Sequence, residues 1–380
     1  MVNSNSNALG IIFPNSYDSL VPELVNERLM ASIPFASRYR LIDFVLSSMV
    51  NCGIDNISVI VRNNYHSLMD HLGSGREWDL TRKNGGLNIV PPFAEKTVKV
   101  YYGRVEALAS ILTFLRSQKE KYVIMSDANT AMNFDFKALI DAHVASGADV
   151  TVAYKEEEIP AALLAARKEV NYFYYSLETD GNQVTKIHIN PKDTGIQKFS
   201  LNVYVMERER LIEMIGEAFS NGNVYFERDI LAPQLGSLNV QAFAFDGYTA
   251  HITGIKSYFD ENMKMLDDDN VDALFGPSPI YTKIRDDNPT RYFNDAEVEN
   301  IMAADGCVIE GEVEDSVLFR GVKIAKGARV KNCVLMQGTV VEAGAELEYI
   351  ITDKNVTISA DKELKGSSSF PVYISKGKTV

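Results

Sequence analysis

The sequence predicts an α/β protein in two parts, and two patterns carry that reading. Over residues 1–266 short apolar runs alternate with helix-like stretches, the order that builds a mainly parallel sheet with helices on its faces. Over residues 291–380 the period changes: Leu318, Ile324, Val330 and Met336 recur every six residues, as do Val322, Ala328, Val334 and Val340. Six fits neither an α-helix nor a flat strand. It is the repeat of a β-helix of triangular section, each six residues forming one side. Residues 267–290 stand between as a linker, carrying Pro277, Pro279, Pro289 and the acidic triplet Asp267-Asp268-Asp269.

The elements follow in order. Ala8 to Phe13 reads as a buried first strand that stops at Pro14-Asn15-Ser16. A helix over Leu41 to Cys52 leads to a strand at Ile57 to Val61, and another strand, Tyr122 to Met125, runs into Ser126-Asp127. A helix at Phe136 to Ser146 then precedes a strand at Asp149 to Tyr154. Ligands of such sheets bind beyond the carboxyl ends of the strands, so Asn15 and Asp127 are expected to face one crevice. From Tyr172 to Val184 the alternation tightens around Asp180-Gly181-Asn182, which predicts a hairpin inserted antiparallel beside the main sheet.

Composition narrows the function. With 380 residues, 46% of them hydrophobic and 23% charged, the chain is a globular protein too long for one ordinary core. A net charge of −13 argues against nucleic acid and anionic membrane as partners, because a broad negative field repels phosphate polymers. The three cysteines, Cys52, Cys307 and Cys333, have no spacing for a zinc site or a disulfide framework, so a reducing cytoplasmic setting is expected. No basic leader and no apolar run near the ~20 residues of a membrane span is read.

Several runs carry a family likeness. SRYRLIDFVLSSMVNCGIDNISVIV (Ser37 to Val61) and DGCVIEGEVEDSVLFRGVKIAKGARVKNCVLMQGTVVEAGAELEYIITDKNV (Asp305 to Val356) resemble stretches of the ADP-glucose pyrophosphorylases, or glucose-1-phosphate adenylyltransferases. Between them, HLGSGREWDL, YYGRVEAL and GIKSYFDENM fall in the family's order. The resemblance implies a Rossmann-like nucleotide-diphospho-sugar transferase domain with a mixed, mainly parallel sheet, followed by a left-handed parallel β-helix of hexapeptide repeats. It also implies an activity: ATP and glucose 1-phosphate joined into ADP-glucose and pyrophosphate, with Mg²⁺, for glycogen synthesis.

The parts that such chemistry needs are incomplete. Nucleotidyl transfer requires backbone N–H groups and cations around the triphosphate, and a hard divalent ion. The family's Gly-Gly-x-Gly-x-Arg-Leu loop corresponds here to FPNSYDSL, which has neither glycine nor arginine and brings Asp18 toward like charge. By the resemblance, Asp127 matches the metal-binding aspartate, while His251 stands where its partner aspartate is expected, and imidazole suits Mg²⁺ poorly. Asn190 replaces the sugar-phosphate lysine, with Lys192 nearby; Ser200 matches a serine of the sugar site; Tyr101 and Gly103 match a substrate-binding segment in part. Arg62 stands for a glutamine and Arg104 for a threonine.

Because framework runs remain while loop, lysine and aspartate change, the chain resembles the family's non-catalytic GlgD-type branch. That implies a heterotetramer with a GlgC-type catalytic subunit, or a homo-oligomer, with ATP, glucose 1-phosphate or sugar-phosphate effectors. Arg28, Arg38, Arg40 and Arg320 are the effector-binding candidates, between the first domain and the β-helix. Three rival readings are weighed. An active adenylyltransferase leans on Asp127 and Ser200. A sensing module without chemistry is compatible with the regulatory reading. An acyltransferase in the tail would need a histidine base, yet His66, His71, His143, His188 and His251 all precede the β-helix.

Overall fold

The computed structural model describes residues 7–91, 101–166 and 174–380. Its first part is built on a nine-stranded sheet. In chain order the strands are β1 (Ala8–Phe13), β2 (Asn56–Ile60), β3 (Gly86–Val90), β4 (Tyr122–Asp127), β5 (Val150–Glu158), β6 (Tyr175–Asp180), β7 (Gln183–Ile189), β8 (Ile196–Glu207) and β9 (Val240–Ala244). The spatial order is β3-β2-β1-β4-β8-β5-β9-β7-β6. The four strands β3, β2, β1 and β4 run parallel, and β8 runs against both its neighbours, β4 and β5.

Local chemistry explains where the main helices begin and end. Helix α1 (Leu41–Asn51) starts where the Asp43 carboxylate accepts the Arg40 backbone N–H at 2.9 Å. Helix α2 (Phe136–Ser146) is capped by Asp135, which accepts the Ala138 N–H, and ends at Gly147 in the left-handed region. The hairpin β6–β7 turns at Gly181, with φ +56°, as its sequence predicts. It extends the main sheet rather than lying apart: β7 meets β9 at Gln183–Gln241, and β6 also pairs with β8. Of the run from which the hairpin was read, Tyr172 and Phe173 lie outside the described residues.

Within residues 267–290, Asp267 accepts the Asp269 N–H and starts helix α3 (Asp268–Phe275). The rest of the segment has no regular element, and it is fastened to the first part. The Tyr281 N–H donates to Ser47 Oγ at 2.8 Å, and Lys283 Nζ donates to the Asp70 carbonyl at 2.6 Å.

The last ninety residues wind as a parallel β-coil. Glu312, Arg329, Glu346 and Glu363 stack in one column, and Ile324, Val341 and Ile358 in another. The stacked residues are 17 apart (312 to 329 to 346 to 363), one fewer than three six-residue sides require. The six-residue series therefore slips out of phase: Val340 is only half-buried and Val341 is the residue that fills the coil. Inward Ile309, Ile324, Val341 and Ile358 form an apolar interior of their own.

The coil docks through a second apolar core. Phe35, Phe44, Tyr258 and Phe259 of the first part pack with Val317, Val334, Met336 and Ile351 of the coil. At the margin of this core Arg28 Nη2 meets Asp353 Oδ1 at 2.5 Å, and both side chains are at least 95% buried. Tyr373 Oη donates to the other carboxylate oxygen at 2.7 Å. Removing one member of such a pair leaves a buried charge with no counter-ion. R28M is expected to lower the unfolding free energy by about 3–5 kcal/mol, with much of the loss recovered in R28M/D353N. Urea unfolding of the three proteins reads both effects.

Candidate functional site

The chain crosses from one flank of β1 to the other between β3 and β4, so a crevice opens at the carboxyl ends of β1 and β4. Phe13 and Asp127 are parallel partners there. The crevice is a cleft of about 660 Å³ whose lining includes Asn15, Asp18, Arg62, Tyr101, Arg104 and Asp127. Asn15 and Asp127 thus share one cleft.

The loop after β1 binds itself. Asp18 Oδ1 accepts the Met30 backbone N–H at 2.7 Å and Oδ2 accepts Asn15 Nδ2 at 2.8 Å, while Asn15 Oδ1 accepts the Arg62 N–H at 2.9 Å. Burial pushes Asp18 up to about 6 despite these donors. A loop meant to wrap a phosphate would leave its N–H groups for the ligand. Here the loop instead presents a carboxylate, held by Asn15 and by the Met30 N–H of a later turn.

Across the cleft Gly103 lies so close to Val224 that a β-carbon would stand 2.2 Å from the Val224 carbonyl oxygen. This approach starts the short helix Arg104–Ala109 and turns Arg104 inward. Its Nη2 donates to Asp127 Oδ1 at 2.8 Å, its Nη1 to Glu227 Oε1, and the Ser16 hydroxyl donates to the same Asp127 oxygen at 2.6 Å. Burial alone would lower the Arg104 pKa, but Glu227 and Asp127 hold it well above its ordinary value. Burial, reinforced by the negative Glu227, raises Asp127 even beside Arg104.

A magnesium ion needs oxygen ligands at about 2.0–2.1 Å in near-octahedral array. Asp127 and Glu227 are already bridged by a guanidinium, and no group of three or more His, Cys, Asp or Glu is assembled for a metal among the described residues. The residues present do not fit Mg²⁺.

The other candidates of the resemblance lie elsewhere. Tyr101 is in the cleft, its hydroxyl donating to the Val61 carbonyl. Ser200, Asn190 and His251 do not line it. Ser200 is buried in β8, and its Oγ accepts the Asn202 N–H at 3.2 Å. Asn190 closes the base of the hairpin, with Oδ1 accepting the Tyr174 N–H at 3.1 Å. His251 is engaged through both ring nitrogens, with Thr130 Oγ1 at 2.9 Å and Glu157 Oε1 at 2.6 Å. Burial opposes ionisation of Glu157, but its bond to His251 holds its pKa below the usual carboxylate value.

Sequence reasoning missed Asn202 and Glu227. Asn202 sits at a break in the β8–β5 register with φ +54° and donates to Tyr17 Oη at 2.9 Å inside the cleft. An asparagine within the strand run FSLNVYV was the available signal for a bulge. Nothing local marked Glu227.

A second cleft lies where the coil meets the first part. Arg38, Arg40, Lys283, Arg285, Arg320 and Lys354 line it and no carboxylate does among the described residues, although Arg38 and Lys283 are paired with Asp305 and Asp70. Its free space, about 40 Å³, holds about three waters, the scale of a phosphoryl group. Arg320 is 8% exposed; its Nη2 donates to the Lys283 carbonyl at 3.1 Å, while its buried Nε has no hydrogen-bond partner among the described residues. Burial brings Arg40 down to about 10 and Lys354 down to about 7, the latter helped by Arg40 and Arg28. Three of the four arginines read from the sequence meet here. Arg28 instead pairs with Asp353, while Lys283, Arg285 and Lys354 were not foreseen.

Comparison with known proteins agrees with both halves. The Nucleotidyl transferase family matches residues 23–234, beginning just past the altered loop, and the GlmU-like C-terminal hexapeptide family matches residues 285–366. The glycogen biosynthesis protein GlgD of Bacillus subtilis (strain 168) is 33% identical over 374 residues, covering 98% of this chain and 97% of the relative. GlgD of Geobacillus stearothermophilus is 37% identical, covering 86% and 83%. The glucose-1-phosphate adenylyltransferase of the same organism is 30% identical, covering 85% and 83%. Such likeness spans sheet and coil alike, and by it the chain belongs to the nucleotidyl transferase family, among the GlgD-type proteins of glycogen biosynthesis.

Proposed function

We propose that this chain is the regulatory, non-catalytic subunit of a glucose-1-phosphate adenylyltransferase and acts in the cytoplasm with a GlgC-type catalytic partner in a heterotetramer. The reading rests on the loop after β1, which carries neither glycine nor arginine and brings the Asp18 carboxylate into the lining of the cleft. A carboxylate at that place repels the triphosphate that nucleotidyl transfer must hold. Mg²⁺ for the assembled enzyme is then held by the partner. Residues 1–266 keep the transferase scaffold, 267–290 connect, and 291–380 form the coil, which we take to wind left-handed as in the family that the sequence resembles.

The basic cleft gives the subunit something to sense. Six cationic side chains line it, of which Arg38 and Lys283 are ion-paired with Asp305 and Asp70, and the cationic excess that remains suits the phosphoryl group of a sugar phosphate. The cleft lies at the junction of the two parts, so a ligand there acts on their docking.

Two measurements test this reading. ADP-glucose formation by the chain alone is expected at least about 10²–10³ below that of a GlgC-type partner, while the co-expressed pair exceeds the partner in rate or in effector sensitivity. Comparable turnover by the chain alone would show that the proposal is wrong. Anion binding should also depend on pH. Lys354 is half-deprotonated near pH 7, and an anion favours its charged form, so binding takes up a proton. Affinity for a sugar phosphate should therefore fall as pH rises above 7, by up to about tenfold per unit. Calorimetry at pH 7 and 8.5 should show this slope, and K354M should flatten it.

A further inference from the structure

Three hard oxygen donors from separate parts of the chain converge at the end of β4: the Asp127 and Glu227 carboxylates and the Ser16 hydroxyl. Hard oxygen donors of this kind would suit a small divalent ion such as Mg²⁺ or Mn²⁺ only if no cation of the chain stood between them. What stands between the carboxylates is a guanidinium. Arg104 gives one terminal nitrogen to each, and its Cζ lies 4.8 Å from the Phe13 ring centroid and 5.4 Å from that of Tyr204. Its side chain is 11% exposed, and those of Asp127 and Glu227 are 3% and 7% exposed.

This is not the setting of a loose surface ion pair. Two rings and two carboxylates fix the guanidinium from several sides, and the Gly103–Val224 approach fixes the backbone from which it springs. Arginine does not give up its proton in proteins, so the positive charge is permanent. A divalent ion entering here would meet that charge at contact distance in a site of low dielectric, and would find one oxygen of each carboxylate already taken by the guanidinium.

We infer that Arg104 is the resident cation of this cleft: a side chain of the protein holds the place of a divalent ion between Asp127 and Glu227 and makes the site independent of metal. The charge that a metalloenzyme borrows from solution is built into the chain. It follows that the cleft retains a latent metal site that one substitution uncovers. The inference concerns ion binding and stands apart from whether the assembled protein turns over substrate.

The experiment uses Mn²⁺ alone, with the full chain, followed by electron paramagnetic resonance of the free ion and by thermal unfolding. The parent protein should show no Mn²⁺ site that D127N removes. R104T should gain a single site, at least about tenfold tighter than any binding by the parent, and lose it in R104T/D127N. R104T also leaves two buried carboxylates facing each other, so its melting temperature should fall and Mn²⁺ should restore it. That rescue is read even if R104T is unfolded without the ion. A Mn²⁺ site in the parent that depends on Asp127 would overturn the inference, and so would an R104T protein that neither binds Mn²⁺ nor is rescued by it.

Discussion

One apolar junction governs the molecule: the core in which Phe35, Phe44, Tyr258 and Phe259 meet Val317, Val334, Met336 and Ile351. Hydrophobic burial supplies the attraction but no orientation, because it is not directional. The buried Arg28–Asp353 pair, with Tyr373 on the second carboxylate oxygen, adds what burial lacks, since it is satisfied in only one docking of coil on sheet. The same junction gathers Arg38 and Arg40 from one side, Lys283 and Arg285 from the connecting segment, and Arg320 and Lys354 from the other. Like charges at such range oppose docking, and the apolar core holds them together. An anion that lies among them removes that opposition, so it interacts differently with docked and loosened arrangements, as any effector must. Lys354 is also the sequence neighbour of Asp353, and its N–H donates to the carboxylate that Arg28 holds.

The cleft on the sheet shows how a fold can outlast its chemistry. A transferase site is a set of charges awaiting opposite charges from substrate and metal, and such groups are costly to bury when unmatched. Here the chain matches them itself. Asp18 satisfies the Met30 N–H, and Arg104 bridges Asp127 and Glu227. No ligand is needed for these groups to be content, so the scaffold is stable without one. His251 follows the same logic, with Thr130 and Glu157 on its two nitrogens.

Much of the scaffold was legible before the structure. Ala8–Phe13 and Phe136–Ser146 fall where the apolar run and the helix-like stretch put them, because such patterns are local signals. The coil was legible as a repeat, yet its turn is 17 residues between Glu312 and Glu363, because the register is fixed by which residues pair across stacked strands, and a local six-residue count does not carry that pairing. Ser200 was drawn into the cleft by motif, whereas a bulge turns Asn202 there instead, and a bulge depends on the partner strand as much as on its own residues.

By itself, the sequence determined the alternation of strand and helix, the change of period near residue 290 and the loss of glycine and arginine from the loop after β1, because each is written in neighbouring residues. It also set Asp127 at the end of a buried strand, which needs only an apolar run and its last residue. Only the tertiary structure decided which charges meet. Arg104 and Glu227 are 123 residues apart in the chain, and Arg28 and Asp353 are 325 apart. Pairs at such separations are chosen by how strands order in a sheet and how a coil docks on it, and no local pattern in the chain encodes that choice.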